Sequence, residues 1–179
     1  MAGHNKWTQI KRKKGITDAK RSQMFSKLTR LISLESKKAN GDSTAPGLRT
    51  VIEKARSFNM PNENIDRAVK KGVGGTGEDL EAITYEAYAP GGVALIIEAL
   101  TGNRNKAASE IKHILSIHDG VLGGKGSSAW AFKKTAEGWM PESSVETDET
   151  TRGKLEKLLE ALEDNDEVEN VYTNLSNNR

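Results

Sequence analysis

The sequence predicts an α+β protein in which a three-helix N-terminal domain is joined by a glycine-rich linker to an α+β sandwich domain. Three observations lead to this fold class. Apolar residues recur with helical spacing early in the chain, a glycine-rich segment follows, and strand-like alternation then mixes with further helical patterns. The predicted parts are a flexible basic arm over residues 1–17, helices over 18–72, a linker over 73–82 and the α+β domain over 83–179.

Each of the three N-terminal helices has a start signal and an apolar face. Thr17 or Asp18 is expected to cap the first helix, which extends to about Asn40. The second helix begins near Pro46 and the third at Pro61, because proline suits a first helical turn. The residues expected to pack inward are Met24, Phe25, Leu28, Leu31 and Ile32, then Leu48, Val51, Ile52 and Ala55, then Ile65, Ala68 and Val69.

The glycine-rich segment Gly72–Gly77 is expected to stop the third helix and to form a joint. Its letters match the G-x-G-x-x-G string of dinucleotide sites. That string must follow a strand and open a helix, so that the helix N-terminus faces the pyrophosphate. Here it follows a helix and precedes a strand, so it predicts a linker, and no cofactor is expected.

The second domain begins with two strand patterns. Alternating apolar residues over 83–88 predict a half-buried strand, and Val93–Leu100 predicts a central strand after the turn residues Ala89–Gly92. Asn103 is expected to cap a helix that packs through Ala108, Ile111, Ile114 and Leu115 and ends at Asp119–Gly120.

The rest of the second domain is expected to contribute two strands and one helix. Ser128–Lys133 and Val168–Thr173 are the predicted strands. Residues 135–150 are polar, with Trp139, Met140 and Val145 as their few apolar anchors. The helix that follows this polar segment and precedes the last strand is expected to bury Leu155, Leu158, Leu159 and Leu162.

Composition excludes several classes of protein. The chain has no cysteine, which excludes disulfides, thiolate zinc sites and cysteine nucleophiles. Its longest aliphatic run, Val93–Ile97, is far shorter than a membrane helix, and no apolar signal-peptide segment follows the basic N-terminus. We therefore expect a cytoplasmic protein with no membrane partner.

The distribution of charge points to a polyanionic partner. The net charge is only +2, but residues 1–72 carry +11, residues 73–134 carry −1 and residues 135–179 carry −8. Such asymmetry is typical of chains whose basic end contacts nucleic acid. The alternative is a solvated surface on which the charge is unevenly placed.

The remaining motif candidates are incomplete. Gly124–Gly126 lacks the first glycine and the Ser or Thr of a phosphate loop, so it predicts a bend in which Lys125 could touch a phosphate. On a helix, His113 and His118 point about 140° apart, and Glu163–Glu167 lacks the glycine and distal glutamate of a calcium loop. We expect no metal site and no catalytic residues.

What remains is a cationic surface with one aromatic residue. Lysine and arginine on one side of a protein bind phosphates, and counterion release supplies the free energy. Trp7, among the lysines of the arm, is expected either to stack on an unpaired base or to anchor the arm to the domain. Lys70 and Lys71 are expected to face nucleic acid, or else to stabilise the C-terminus of their helix.

Several ordered motifs extend over nearly the whole chain. They are Met1–Trp7, Ile10–Lys11, Asp18–Arg21, Phe25–Leu28, Asn59–Pro61, Asn64–Ala68, Tyr85–Val93, Asn103–Asn105 and Leu159–Asn174. Together they resemble the YebC family, which includes PmpR-type regulators and the mitochondrial translational activator of cytochrome oxidase subunit one. The resemblance implies a helical N-terminal domain, an α+β domain and no enzymatic activity.

The chain departs from the family pattern in three places. Asn5 stands where the family usually has Ser, and Lys106–Ala107 where it often has Arg-Thr. Family members are usually longer and carry a third α/β domain inserted into the second. Here Phe132–Lys134 leads almost directly to Glu137–Pro141, which resembles the segment beyond that insertion. We therefore expect a short form without the third domain.

The resemblance leaves two functions open, because some members are described as DNA-binding transcriptional regulators and others resemble ribosome-associated translation factors. We expect a translation factor that binds ribosomal RNA and relieves stalling, since a basic arm suits folded RNA and no base-reading helix-turn-helix is evident. A DNA-binding regulator is the alternative, and an adaptor using the acidic C-terminal half is a third hypothesis. The oligomeric state is left open, with a monomer among the options. The candidate nucleic-acid-binding residues are Gly3, His4, Lys6, Trp7, Lys11, Arg12, Lys13, Lys14, Lys20, Arg21, Lys27, Arg30, Asn64, Arg67, Lys70, Lys71 and Arg104.

Overall fold

The structure is a computed structural model, and it describes residues 17–75 and 79–177. The chain divides into two compact units, here called the N-terminal unit, which ends at Leu80, and the C-terminal unit, which begins at Glu81. The described part of the N-terminal unit is helical, and that of the C-terminal unit combines strands with helices. The α+β fold class predicted from the sequence is confirmed.

Three helices form the N-terminal unit: α1 is Asp18–Lys38, α2 is Pro46–Ser57 and α3 is Asn62–Val73. Thr17 is the N-cap of α1, and its hydroxyl accepts a hydrogen bond of 3.3 Å from the Lys20 amide. Every residue predicted to pack inward belongs to one apolar cluster, either buried or half-buried, to which the structure adds Met60.

Helix α3 does not stop at Gly72, as the sequence predicts, but continues to Val73. The glycine has a packing role instead. A Cβ at Gly72 would lie 2.4 Å from the carbonyl oxygen of Ser33 on α1, so only glycine permits this approach of the two helices. Strand β1 then begins at Glu81, inside the segment predicted as linker.

A four-stranded antiparallel sheet forms the centre of the C-terminal unit. Its strands are β1, Glu81–Ala89; β2, Val93–Thr101; β3, Val121–Gly123; and β6, Val168–Thr173, in the spatial order β3-β1-β2-β6. Helices α4, Arg104–Ile117, and α5, Glu149–Glu163, pack on one face, and the hairpin of β4, Phe132–Thr135, and β5, Gly138–Pro141, packs on the other.

Strand β2 is the central strand that its uninterrupted apolar sequence predicts. Leu95 and Ile97 pack with the two helices, while Ala94 and Ile96 pack with the hairpin. A strand covered on both faces needs apolar residues at successive positions, which explains why no polar alternation is visible in its sequence. The turn before it contains Gly91 and Gly92 at φ of 81° and 73°, values that glycine adopts without steric cost.

The predicted strand Ser128–Lys133 is wrong in its first half. Ala129–Ala131 is a 3₁₀ turn, because the Ser128 and Ala129 amides donate to the Glu86 carboxylate, a side chain of β1, instead of to a neighbouring strand. Strand β4 therefore begins at Phe132. The short strands β3 and β5 were not predicted from the sequence, and Ala107, not the predicted Ala108, is the fully buried alanine of α4.

Candidate nucleic-acid interface

The arm candidates lie outside the described residues, so their proposed roles stay predictions. They are Gly3, His4, Lys6, Trp7 and Lys11–Lys14. The other candidates are in the described parts of the two units.

Helix α1 carries four of the candidates, three in its first half and the fourth, Arg30, just past its midpoint. Lys20 and Arg21 are exposed, whereas Lys27 and Arg30 lie further along the helix, beside its apolar face. The Arg21 guanidinium lies 3.9 Å from the Asp18 carboxylate one turn earlier, an exposed pair of the kind that stabilises little. Of the four, Lys20 and Arg21 are therefore the most accessible to a polyanion.

Two lysines in the last turn of the same helix are paired with acids. Lys37 donates to Asp79 at 2.8 Å, and Lys38 donates to Glu35 at 2.7 Å. The hydrogen bond from Lys37 and its positive charge hold the pKa of Asp79 below its usual value. A phosphate would have to compete with these carboxylates for Lys37 and Lys38.

The candidates of helix α3 lie within an arc of about 120° around its axis. The spacing of Asn64, Arg67 and Lys71 puts them on one face, and Lys70 lies about 100° away from Lys71. Arg67, Lys70 and Lys71 are exposed, whereas Asn64 is half-buried. Arg67 donates to Glu63 one turn earlier at 2.9 Å, so this face carries an acid beside its arginine.

Two serines that were not predicted from the sequence fix α3 against α1. The Ser33 hydroxyl donates to the Ala68 carbonyl at 3.0 Å, and the Ser36 hydroxyl donates to the Val69 carbonyl at 2.7 Å. With Gly72 they hold the last turn of α3, which carries Lys70 and Lys71, in backbone contact with α1. The signal was available, because two serines three residues apart on an apolar helix face need partners when buried.

The candidate Arg104 belongs to the C-terminal unit, where it is the first residue of α4. It donates to both carboxylate oxygens of Glu81, and both side chains of this pair are exposed. The hydrogen bonds from Arg104 hold the pKa of Glu81 below its usual value. A phosphate would have to compete with Glu81 for this guanidinium.

The glycine-rich bend around Lys125 does not offer its amides to a phosphate. Glu86 already accepts hydrogen bonds from the Gly126, Ser128 and Ala129 amides at 2.8 to 2.9 Å. Burial raises the pKa of Glu86, but these three bonds and the charge of Lys125 outweigh it and hold the pKa below its usual value. An internal carboxylate, which was not predicted from the sequence, thus accepts the hydrogen bonds that these amides could offer to an anion.

A shallow surface cavity lies beside α2. Its volume is about 360 Å³, and it is lined by Ser43, Thr44, Arg49, Ile52, Glu53 and Arg56. Arg49 donates to Glu53 at 2.9 Å. These arginines were not among the candidates predicted from the sequence, because a small set of exposed charges on a helix is also typical of a solvated face.

Two other kinds of feature are absent from the described residues. None of the helices in the described ranges is long and apolar enough to cross a membrane. Within the same ranges, no group of three or more His, Asp or Glu side chains is arranged to hold a metal ion.

Comparisons with known proteins match both units. The family model described as the TACO1/YebC protein N-terminal domain matches residues 5–75. The model described as the TACO1/YebC second and third domain matches in two stretches, residues 80–137 and 134–175. The two stretches meet where the β4–β5 hairpin turns.

Individual relatives cover nearly all of the chain. A "Probable transcriptional regulatory protein" of Rubrobacter xylanophilus is 47% identical over 91% of this chain and 66% of its own length. Another protein of that name, from Desulfosudis oleivorans, is 44% identical over 97% of this chain and 71% of its own length. The chain thus spans about two thirds of the length of these curated relatives.

A solved structure agrees with the fold. The crystal structure of a conserved hypothetical protein from Aquifex aeolicus superposes with a TM-score of 0.79 at 33% sequence identity, covering 89% of this chain and 91% of that one. Taken with the two domain matches, this shows that the chain belongs to the TACO1/YebC family.

Proposed function

We propose that the chain is a non-enzymatic, nucleic-acid-binding regulator of gene expression, and that it acts in the cytoplasm as a ribosome-associated translation factor. In this role it binds ribosomal RNA through the basic arm and the first half of α1 and relieves stalling. The observation that carries the proposal is the concentration of positive charge in the first 72 residues, where 17 Lys and Arg stand against 6 Asp and Glu. Phosphate contacts of this kind supply most of the affinity of non-specific nucleic-acid binding.

The charge pattern of α3 favours RNA over a helix-in-groove mode on DNA. A recognition helix contacts base edges through its N-terminal residues. The N-terminal half of α3 carries exposed Glu63 and Asp66, and Arg67 is paired with Glu63. Carboxylates there would repel the phosphates that line a groove, so a role of Asn64 and Arg67 in reading DNA bases loses support.

A DNA-binding transcriptional regulator is the second candidate function. It is supported by the name shared by the relatives, "Probable transcriptional regulatory protein". Lys70 and Lys71, near the end of α3, could contact a DNA backbone without reading bases.

Co-sedimentation with ribosomes tests the first candidate against the second. We expect the full chain to migrate with ribosomal particles in a sucrose gradient after DNA has been removed by nuclease. Replacing Lys11–Lys14 with glutamine should release it. A sequence-specific DNA footprint at near-physiological salt, with no ribosome association, would support the transcriptional regulator instead.

A further inference from the structure

An exposed tryptophan lies in the C-terminal unit, and it is not among the candidates predicted from the sequence. Trp130 belongs to the 3₁₀ turn before β4, and 63% of its surface is accessible. Val121, opposite Tyr88 in the register of β3 and β1, is 66% exposed. Large apolar side chains exposed in this way often mark a contact surface.

Hydrogen bonds hold the edge of this indole in one orientation. The Trp130 Nε1–H donates to the Tyr88 hydroxyl at 2.8 Å and to the Ser127 carbonyl at 3.0 Å. The Tyr88 hydroxyl in turn donates to the same carbonyl at 2.6 Å. The polar atom of the ring is therefore satisfied within the protein, and the ring surface is what remains for a partner.

The turn that carries Trp130 is itself fixed. Glu86 accepts hydrogen bonds from three amides of the segment, those of Gly126, Ser128 and Ala129. A side chain held this way loses little conformational entropy when it binds, which favours affinity.

The charge around Trp130 differs from that of the unit as a whole. Residues 81–179 contain 17 Asp and Glu against 10 Lys and Arg. Residues 120–136, which include Trp130, contain three lysines and no acid, and one carboxylate from β1, that of Glu86, lies against the segment. Of these lysines, Lys125 and Lys133 are exposed, and Lys134 lies over the Trp139 ring with its Nζ 5.2 Å from the centroid. A partner that meets this segment should therefore be anionic as well as able to stack.

We propose that Trp130 is a stacking platform for an unpaired nucleobase, and that Lys125 and Lys133 serve the adjoining phosphates. An aromatic ring with a free face stacks on any base, while lysines beside it attract the backbone. A paired base already has its faces covered by its neighbours, so the site selects single-stranded or looped nucleic acid. This inference rests on the proposed nucleic-acid function and adds a second contact, on the C-terminal unit.

Binding of a short oligouridine and of a duplex RNA of equal length, followed by fluorescence anisotropy, tests the proposal. Trp130→Leu should weaken oligouridine binding roughly tenfold, the scale of one stacked base, and should leave duplex binding unchanged. Trp130→Phe keeps an aromatic ring and should retain most of the affinity for oligouridine. Ile117→Ala removes another exposed apolar side chain of the same unit and is the matched control, with no expected effect.

The outcomes separate this inference from the proposed function. If the wild-type chain binds neither probe, the proposed function fails and the inference fails with it. If the wild-type chain binds both and Trp130→Leu binds oligouridine equally well, only the inference is overturned. A Trp130→Leu variant with normal RNA binding and reduced self-association in sedimentation would also overturn it, because the surface would then join two copies of the chain.

Discussion

The two units of this chain differ in both charge and construction. The N-terminal unit is built from helices whose closest contact depends on Gly72 and two serine hydroxyls, and the first 72 residues carry a net charge of +11. The C-terminal unit is built around a strand buried on both faces, and residues 135–179 carry −8. The difference indicates that nucleic acid should be drawn to one end of the chain and repelled by most of the other.

Leu95→Ala should have the largest effect and tests whether the units fold separately. Leu95 is fully buried in the core between the sheet and its helices, so truncation should lower the unfolding free energy of the C-terminal unit by about 2–5 kcal/mol. Amide hydrogen exchange measured unit by unit should show no change in α1–α3. Leu48→Ala, fully buried in the N-terminal unit, should give the reverse pattern. Loss of protection in both units from either variant would contradict separate folding.

Gly72→Ala should destabilise the N-terminal unit alone, by about 1–3 kcal/mol, the usual range for overpacking. The added Cβ would meet the Ser33 backbone carbonyl, which cannot move away as a flexible side chain would. Thermal unfolding followed by circular dichroism measures the effect. Gly153→Ala in α5 is the control: its Cβ would meet nothing within 4 Å, so it should be neutral or stabilising by up to about 1 kcal/mol. Equal changes in stability from the two substitutions would contradict the packing role assigned to Gly72.

Lys20→Gln combined with Arg21→Gln should reduce the dependence of RNA binding on salt. Each lost phosphate contact lowers the slope of log affinity against log salt by about 0.7–0.9, so the double variant should lose about 1.5. Lys112→Gln with Lys157→Gln removes the same charge from exposed positions of the C-terminal unit and should leave the slope unchanged. Equal slopes for the two double variants would show that binding responds to net charge and not to the α1 surface.

Glu86→Gln should have the smallest effect, about 1 kcal/mol, and one that depends on pH. Because the folded pKa of Glu86 lies below its ordinary 4.5, the carboxylate stabilises the C-terminal unit above that pH. The contribution is lost as pH falls through the lowered pKa. Urea unfolding at a series of pH values should therefore show a weaker acid dependence in the variant. Glu137→Gln, at an exposed position of the hairpin turn, should retain the wild-type profile.

Much of the fold could be predicted because its signals are local. The apolar spacing of α2, the leucines of α5 and the unbroken β2 pattern each identify an element from its own residues. The features that were not predicted depend on partners that are distant in the sequence. The turn at Ala129–Ala131 exists because of Glu86, more than 40 residues earlier, and the packing role of Gly72 depends on α1, which lies against it.

The candidate site was less predictable than the fold. The sequence identifies which residues are cationic, but their pairing depends on the folded chain. Lys37 meets Asp79, and Arg104 meets Glu81, across separations that no local pattern encodes. The sequence predicts a strand at Trp130, whereas its exposure follows from the 3₁₀ turn that Ala129–Ala131 forms there.

The β4–β5 hairpin has a consequence for how proteins of this family can vary in length. Thr135 pairs with Gly138, so only Ala136 and Glu137 separate the two strands, and the two stretches of the second-and-third-domain match meet here. A domain whose two termini are close together could be inserted or lost at this tip without changing the register of either strand. The chain ends that it must join are already side by side. The same scaffold could thus exist with or without an extra module while its sheet is left intact.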